Sequence, residues 1–177
     1  MNMKRISTSY LKSALCLAAV MALLLPVCLA QGAADDLTLR YGDRTFSPGE
    51  AAGPLVDAVR EATGESPQIS QADSCMFAGK DREYAFDGLI LGCYPRGRDG
   101  GDVLETILVT DPALCTARGA RVGMKREEIT ALYGAEGLRD YDQLIYTVTD
   151  GGAQVIFTFD LEDDSVISFM LYLNTAV

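Results

Sequence analysis

The stretch "RGARVGMKREEITALYG" (118–134) decides how this chain is read. Ile129, Leu132 and Tyr133 recur at helical spacing and make a one-sided apolar stripe, so the periodicity predicts a helix over Arg126–Tyr133. Glu127 and Glu128 fall in its first turn, where the helix dipole favours negative charge. Gly134 is placed to end the helix as a left-handed C-terminal cap. Gly119 and Gly123 bracket a short extended piece with Val122 pointing inward. A phosphate-cradling reading needs G-x-x-x-x-G-K-[ST], and "GARVGMKRE" has neither that spacing nor the hydroxyl. The glycines therefore punctuate a helix.

The same signals recur upstream. Leu37, Leu39 and Tyr41 alternate before Gly42-Asp43, which predicts a β-hairpin over Leu37–Phe46. Ser47, Pro48 and Glu50 resemble a capping box, but Pro54 would break a helix begun there. The helix is expected over Pro54–Ala62, with Leu55, Val56 and Val59 on one face and Gly64 as its stop. The polar "ESPQISQADSC" (65–75) reads as a loop. Asp87-Gly88 splits Arg82–Pro95 into two strands. "RGRDGGD" (96–102) is a turn and Val103–Thr110 a β-branched strand. Three further strands are expected near Leu144–Thr149, Gln154–Asp160 and Val166–Leu173. Their turns fall at Asp150-Gly151-Gly152 and Glu162-Asp163-Asp164.

These elements fall into two similar programmes, one over about 37–110 and one over about 116–177. Tyr84 corresponds to Tyr146 and Gly88 to Gly151, with one residue of slack. Self-similarity of this kind predicts duplication of one supersecondary unit, a helix followed by a three-stranded antiparallel meander. Such a sheet needs its apolar face covered. The expected fold is α+β: one antiparallel sheet built from two helix-plus-three-strand repeats, with the helices packed on one face. Val155, Phe157 and Phe159 should share a face, with Ile156 opposite. Ile167, Phe169 and Leu171 should do the same, with Met170 and Tyr172 opposite. Loops and the N-terminal hairpin are expected to bury that second face.

Residues 1–30 read as a secretory signal peptide: Lys4, Arg5 and Lys12 precede an apolar run that ends at Cys28-Leu29-Ala30. Residues 31–177 then form a single exported domain, secreted or held in the extracytoplasmic cell envelope. Val27 is too bulky for a good lipid-attachment match at Cys28, although anchoring there is the alternative to release. The whole chain carries a net charge of −10; removing residues 1–30 takes three of its 15 basic residues and none of its 25 acidic ones, leaving about −13. That sign disfavours nucleic acid and anionic lipid as partners. Nothing in the mature part predicts membrane insertion. There is no histidine in the chain. Ser–His–Asp and Cys–His activation and the usual zinc sites are thereby excluded. Cys75, Cys93 and Cys115 survive cleavage as candidate disulfide partners, with the pairing open and one left over.

Several stretches carry a resemblance. "SC-F-GKDREYAFDG" (74–88), "YP" (94–95), "T-x-x-G" (116–119) and "VGM-x-x-E-E-I-x-x-LYG" (122–134) resemble a family of exported proteins and lipoproteins of gut-type Gram-positive bacteria. More distantly, the duplicated layout is similar to the β-lactamase inhibitory protein, and "GM…E-I…LYG" to small envelope-assembly lipoproteins of that superfamily. The chain departs from the family at Lys125, where the family places a Ser, Thr or Asp helix cap, and in its weak lipid-attachment motif. No inhibitory contact residue matches position by position, so the resemblance implies a fold and an exported location without an activity.

The function expected on these grounds is a non-catalytic exported module that binds another protein through the open sheet face or its hairpin loops. No catalytic residue, metal or cofactor is assigned. Phe77, Tyr84, Tyr94, Tyr141 and Tyr146 are the candidate contacts, because tyrosine suits binding surfaces. One alternative is a hydrolase using paired carboxylates, for which Asp99, Asp102 and Glu105 cluster in sequence. A calcium site in "DDLTLRYGD" or "LEDDS" lacks the 12-residue ligand loop. Inhibition of a cell-wall or β-lactam-binding enzyme is the remaining alternative, on the distant resemblance alone.

Overall fold

The computed structural model describes residues 37–97, 101–135, 137–147 and 153–174. The expected signal peptide, Cys28, Asp99 and the Asp150-Gly151-Gly152 turn lie outside them. The elements run β1 (Leu39–Tyr41), β2 (Arg44–Phe46), α1 (Gly53–Thr63), β3 (Gln68–Asp73), β4 (Lys80–Phe86), β5 (Leu89–Pro95) and β6 (Asp102–Val109). There follow β7 (Cys115–Thr116), α2 (Arg126–Tyr133), β8 (Leu138–Asp140), β9 (Gln143–Thr147), β10 (Gln154–Phe159) and β11 (Val166–Tyr172). The class is α+β. One antiparallel sheet has the order β3-β4-β5-β6-β11-β10-β9-β8, and a smaller one the order β2-β1-β7.

Each helix is thus followed by four sheet strands, where three were expected. The added strands are β3, expected as a loop, and β8, three exposed residues that no sequence signal marks. Both hairpin turns fall as expected: Tyr41 pairs with Arg44 around Gly42-Asp43, and Phe86 with Leu89 around Asp87-Gly88. Gly88 sits at φ 72, and a Cβ there would meet the Asp111 Cβ at 2.7 Å and its backbone at 3.2 Å. Gly88→Ala should therefore cost about 2 kcal/mol, combining the left-handed penalty with displacement of the Asp111 loop. A loss under about 0.5 kcal/mol in urea titration would refute this reading of the turn.

The core lies against one face of the large sheet. Leu89, Leu91, Ile107, Val109, Phe169, Leu171, Val155 and Phe157 are buried there, together with Leu144 and Tyr146 from β9. The same cluster takes Leu55, Val56, Ala58 and Val59 from α1 and Ile129 from α2. Leu39 and Phe46 join it too, so the N-terminal hairpin contributes to this inner core and not to burial of the second face. Ile167 is 48% exposed, contrary to its expected inward place. A register shift between Thr158 and Phe159 sets Val166 opposite Phe159, and Val166 is buried instead.

The opening stretch folds through contacts that lie far along the chain. Lys125 is extended, and its N–H donates to the Glu128 carboxylate at 2.8 Å, which is half of a capping box. The lysine Nζ donates to the Asp163 carbonyl at 2.6 Å and pairs with its carboxylate at 3.3 Å. Gly123 N–H donates to the Val166 carbonyl, and Val166 N–H to the Met124 carbonyl, each at 2.8 Å. Val122 lies in a turn and is partly buried against the core. Gly134 is not the expected left-handed cap: at φ 95, ψ 169 it turns the chain out toward β8. Its N–H still closes on the Thr130 carbonyl, and the Tyr146 hydroxyl donates to its own carbonyl at 2.7 Å. Gly64, by contrast, is left-handed at φ 73, as expected.

Candidate binding surface

Strand alternation sends every second side chain to the sheet face opposite the core. The register brings these side chains into rows. Ala85 pairs with Ile90, Ile90 with Leu108, Leu108 with Met170, Met170 with Ile156, Ile156 with Ile145 and Ile145 with Leu138. One apolar row therefore crosses seven strands. Its members are partly exposed, and Leu138 is 66% exposed. A polar row runs beside it: Ser70, Glu83, Gly92, Thr106, Tyr172, Gln154 and Thr147.

Gly92 interrupts the polar row, and a Cβ there would collide with the Thr106 hydroxyl. Next to it the sheet register shifts between Gly92 and Cys93. The result is a shallow recess of about 330 Å³ lined by Ser70, Ala72, Asp81, Arg82, Glu83, Gly92 and Glu105, among others. One carboxylate oxygen of Asp81, Oδ1, is buried and has no hydrogen-bond partner. Sequence reading missed this recess. Its signal was a lone glycine inside the strand "LILGCYP", which often marks a bulge or a close approach.

The five aromatic candidates are scattered. Tyr146 is buried, and the Tyr133 and Phe157 rings pack against it at 5.1 and 6.3 Å. It is a core residue, because it alternates in phase with Leu144 on the inner face. Tyr84 also packs against the core, and its hydroxyl donates to Asp102. Burial, followed by that hydrogen bond and the Asp102 charge, pushes the phenol up to about 12. These two are corrected from contacts to packing residues. Phe77 and Tyr94 stack on each other at 4.8 Å, partly buried. Tyr141 is 86% exposed and stands alone at the β8–β9 turn with φ 44.

The acidic candidates separate as well. Asp102 is 8% exposed and accepts from Arg82 Nη1 at 2.6 Å as well as from Tyr84, so its carboxylate is committed to the fold. Glu105 lines the recess near Gly92. In "LEDDS", Asp163 accepts from the Ser165 N–H and hydroxyl, and these bonds hold its carboxyl below the usual range. Asp164 accepts from Arg126 Nε at 2.8 Å. Among the described residues no group of His, Cys, Asp and Glu could hold a metal ion. Cys75 and Cys93 are free thiols, exposed and buried respectively, while Cys115 is disulfide-bonded. Cys75 and Cys93 are therefore paired neither with each other nor with Cys115, so the expected bridge within these three cysteines is not formed. No helix among the described residues is long and apolar enough to cross a membrane.

Comparison with known proteins adds little to this geometry. No protein-family model matches the chain, and no solved structure matches it. The chain is similar to a glutamate racemase of Desulforudis audaxviator (strain MP104C), 37% identical over 108 residues. That match takes in 56% of this chain and spans 38% of the length of the racemase.

Proposed function

We propose that the chain is an exported, non-catalytic module that binds another protein through the outer face of its large sheet. The observation that carries the reading is the apolar row from Ala85 to Leu138, flanked by polar side chains, with an apolar centre and a wet rim. The acidic composition fits solubility after export and favours a basic partner. Residues 1–30 supply the export signal, and the mature form ends up secreted or envelope-held.

The body is inferred to be a duplicated helix-plus-meander unit with both helices over the inner face, as the resemblance to exported envelope proteins implies. Two parallels support it. The strand order reads β3-β4-β5-β6 from one edge and β8-β9-β10-β11 from the other. The segment before each helix also pairs with the last strand of its own meander, through Ala51 and Val103 in one half and Lys125 and Ser165, just ahead of β11, in the other.

The racemase match spans too little of that enzyme to carry racemisation over to this chain. Burial, followed by the Asp102 and Glu105 charges, pushes the Cys93 thiol up to about 12, so it supplies no thiolate base at neutral pH. The carboxylate-hydrolase alternative loses its main support in Asp102, which is neutralised by Arg82.

Capture of envelope proteins on the immobilised mature chain tests the binding reading, with the Leu108→Arg, Ile156→Arg double variant run in parallel. A protein retained by the wild type should fall at least about tenfold on the variant, an interfacial loss near 1.4 kcal/mol. Equal retention by a variant with an unchanged circular dichroism spectrum would remove the outer face from the proposal.

A further inference from the structure

We propose that the outer edge of β3 is a strand-addition site for an extended segment of another polypeptide carrying a basic side chain. The inference takes the chain to be a binding module but uses a surface distinct from the outer-face row.

The two edges of the large sheet are unlike. β8 is three residues long and carries Arg139 and Asp140, which are ordinary devices against unwanted pairing. β3 is six residues long, exposed throughout, and pairs with β4 without any register shift. It has no proline, no lysine and no bulge. Its one charge, Asp73, is already paired with Lys80 at 3.0 Å. Among the described residues nothing pairs with its outer side. Its backbone therefore offers a ready ladder of donors and acceptors.

The chemistry next to that edge selects the occupant. On the outer sheet face β3 presents Ser70 and Ala72, two small residues. Directly behind them on β4 stand Glu83 and Asp81, and behind Glu83 comes Gly92 on β5. Two short lanes thus lead from the edge to two carboxylates. An added strand would lie about 10 Å from β4, twice the strand spacing. A long basic side chain lying along Ala72 with its stem on the sheet spans that gap. Asp81 and Glu83 both line the recess, and their negative charge is what such a head group would meet there. The period of two along the added strand then sets basic side chains at alternate positions, facing Ala72 and Ser70.

The test uses the mature chain and three fluorescent ten-residue peptides: alternating Thr-Arg, alternating Thr-Glu, and Thr-Arg with alternate backbone amides methylated. Anisotropy should show the Thr-Arg peptide binding at least about tenfold tighter than the other two. Hydrogen exchange should show new protection confined to the amides of Gln68–Asp73. Asp81→Asn should weaken the Thr-Arg peptide about tenfold while leaving urea stability intact. The Leu108→Arg, Ile156→Arg variant should bind that peptide as the wild type does, so failure of the outer-face reading and failure of this one are separable. Equal binding of the methylated peptide, indifference to Asp81→Asn, or no binding of the Thr-Arg peptide would each overturn the site. So would a dimer whose β3 amides are protected without peptide, which would give the edge to a second copy.

Discussion

Phe157→Ala is expected to cost about 3–5 kcal/mol of folding stability, a large share of what a domain of this size has. Phe157 is fully buried at the centre of the inner face, between Val155 and Phe159 on its own strand. The Tyr133 ring meets it edge-on at 5.2 Å, Tyr146 lies at 6.3 Å and Phe169 at 6.1 Å. The group ties three elements to β10, because Tyr133 belongs to α2, Tyr146 to β9 and Phe169 to β11. Its polar tips are anchored: the Tyr133 hydroxyl donates to Thr116 at 2.9 Å and the Tyr146 hydroxyl to the Gly134 carbonyl at 2.7 Å. Anchored neighbours collapse poorly into a cavity, so the cost belongs toward the upper end of the range. Phe157→Leu keeps most of the volume and should lose about half as much. Urea titration should show a lower midpoint at unchanged slope for both variants. A loss below about 1 kcal/mol for Phe157→Ala would mean that these rings are not the centre of the core.

The parts of this fold that were legible in the sequence are those written in local signals. Pro54 with Gly64, and Glu127-Glu128 with Gly134, bound the two helices to within a residue of their observed ends. Gly42-Asp43 and Asp87-Gly88 fixed two hairpin turns, because only such pairs take the required backbone without strain. β3 was not legible. Its residues, "QISQAD", alternate nothing, since an edge strand exposed on both faces is held by its ladder and not by burial. Residue type also misled: tyrosines suit interfaces in general, yet Tyr84 and Tyr146 sit in phase with Phe86 and Leu144 and so face the core. That phase was present in the sequence and outranks residue type. The apolar row on the outer face was visible strand by strand at Ile156 and Met170. Its continuity depends on register across seven strands, which no single strand specifies.

Arg82→Met is expected to cost about 3 kcal/mol, because it strands a buried carboxylate. Asp102 is 8% exposed and Arg82 38%, so water still screens the arginine side of the pair and holds the figure at the low end of the range for broken buried pairs. Changing both partners, with Arg82→Met and Asp102→Leu, should recover part of the loss, since no unpaired charge then remains. The same cluster also sets how the protein responds to alkali. The Cys93 thiol is pushed from 9.0 up to about 12, first by burial and then by Asp102 and Glu105, while Tyr84 is pushed from 10.0 to about 12. Both groups are neutral acids in the folded chain, and the unfolded chain gives up their protons earlier. Their contribution is therefore whole below pH 9.0, and it falls as pH rises through the window from 9.0 to about 12. Cys93→Ala should delay the onset of that fall to the ordinary tyrosine value, 10.0, and Tyr84→Phe should make it shallower without moving the onset. Arg82 opposes both shifts, so Arg82→Met should carry the alkaline loss on to higher pH as well as lower stability at neutral pH. Urea midpoints taken from neutral pH to about pH 11 separate these outcomes. If the wild type and Cys93→Ala lose stability over the same window, Cys93 is not the buried thiol beside Asp102 described above.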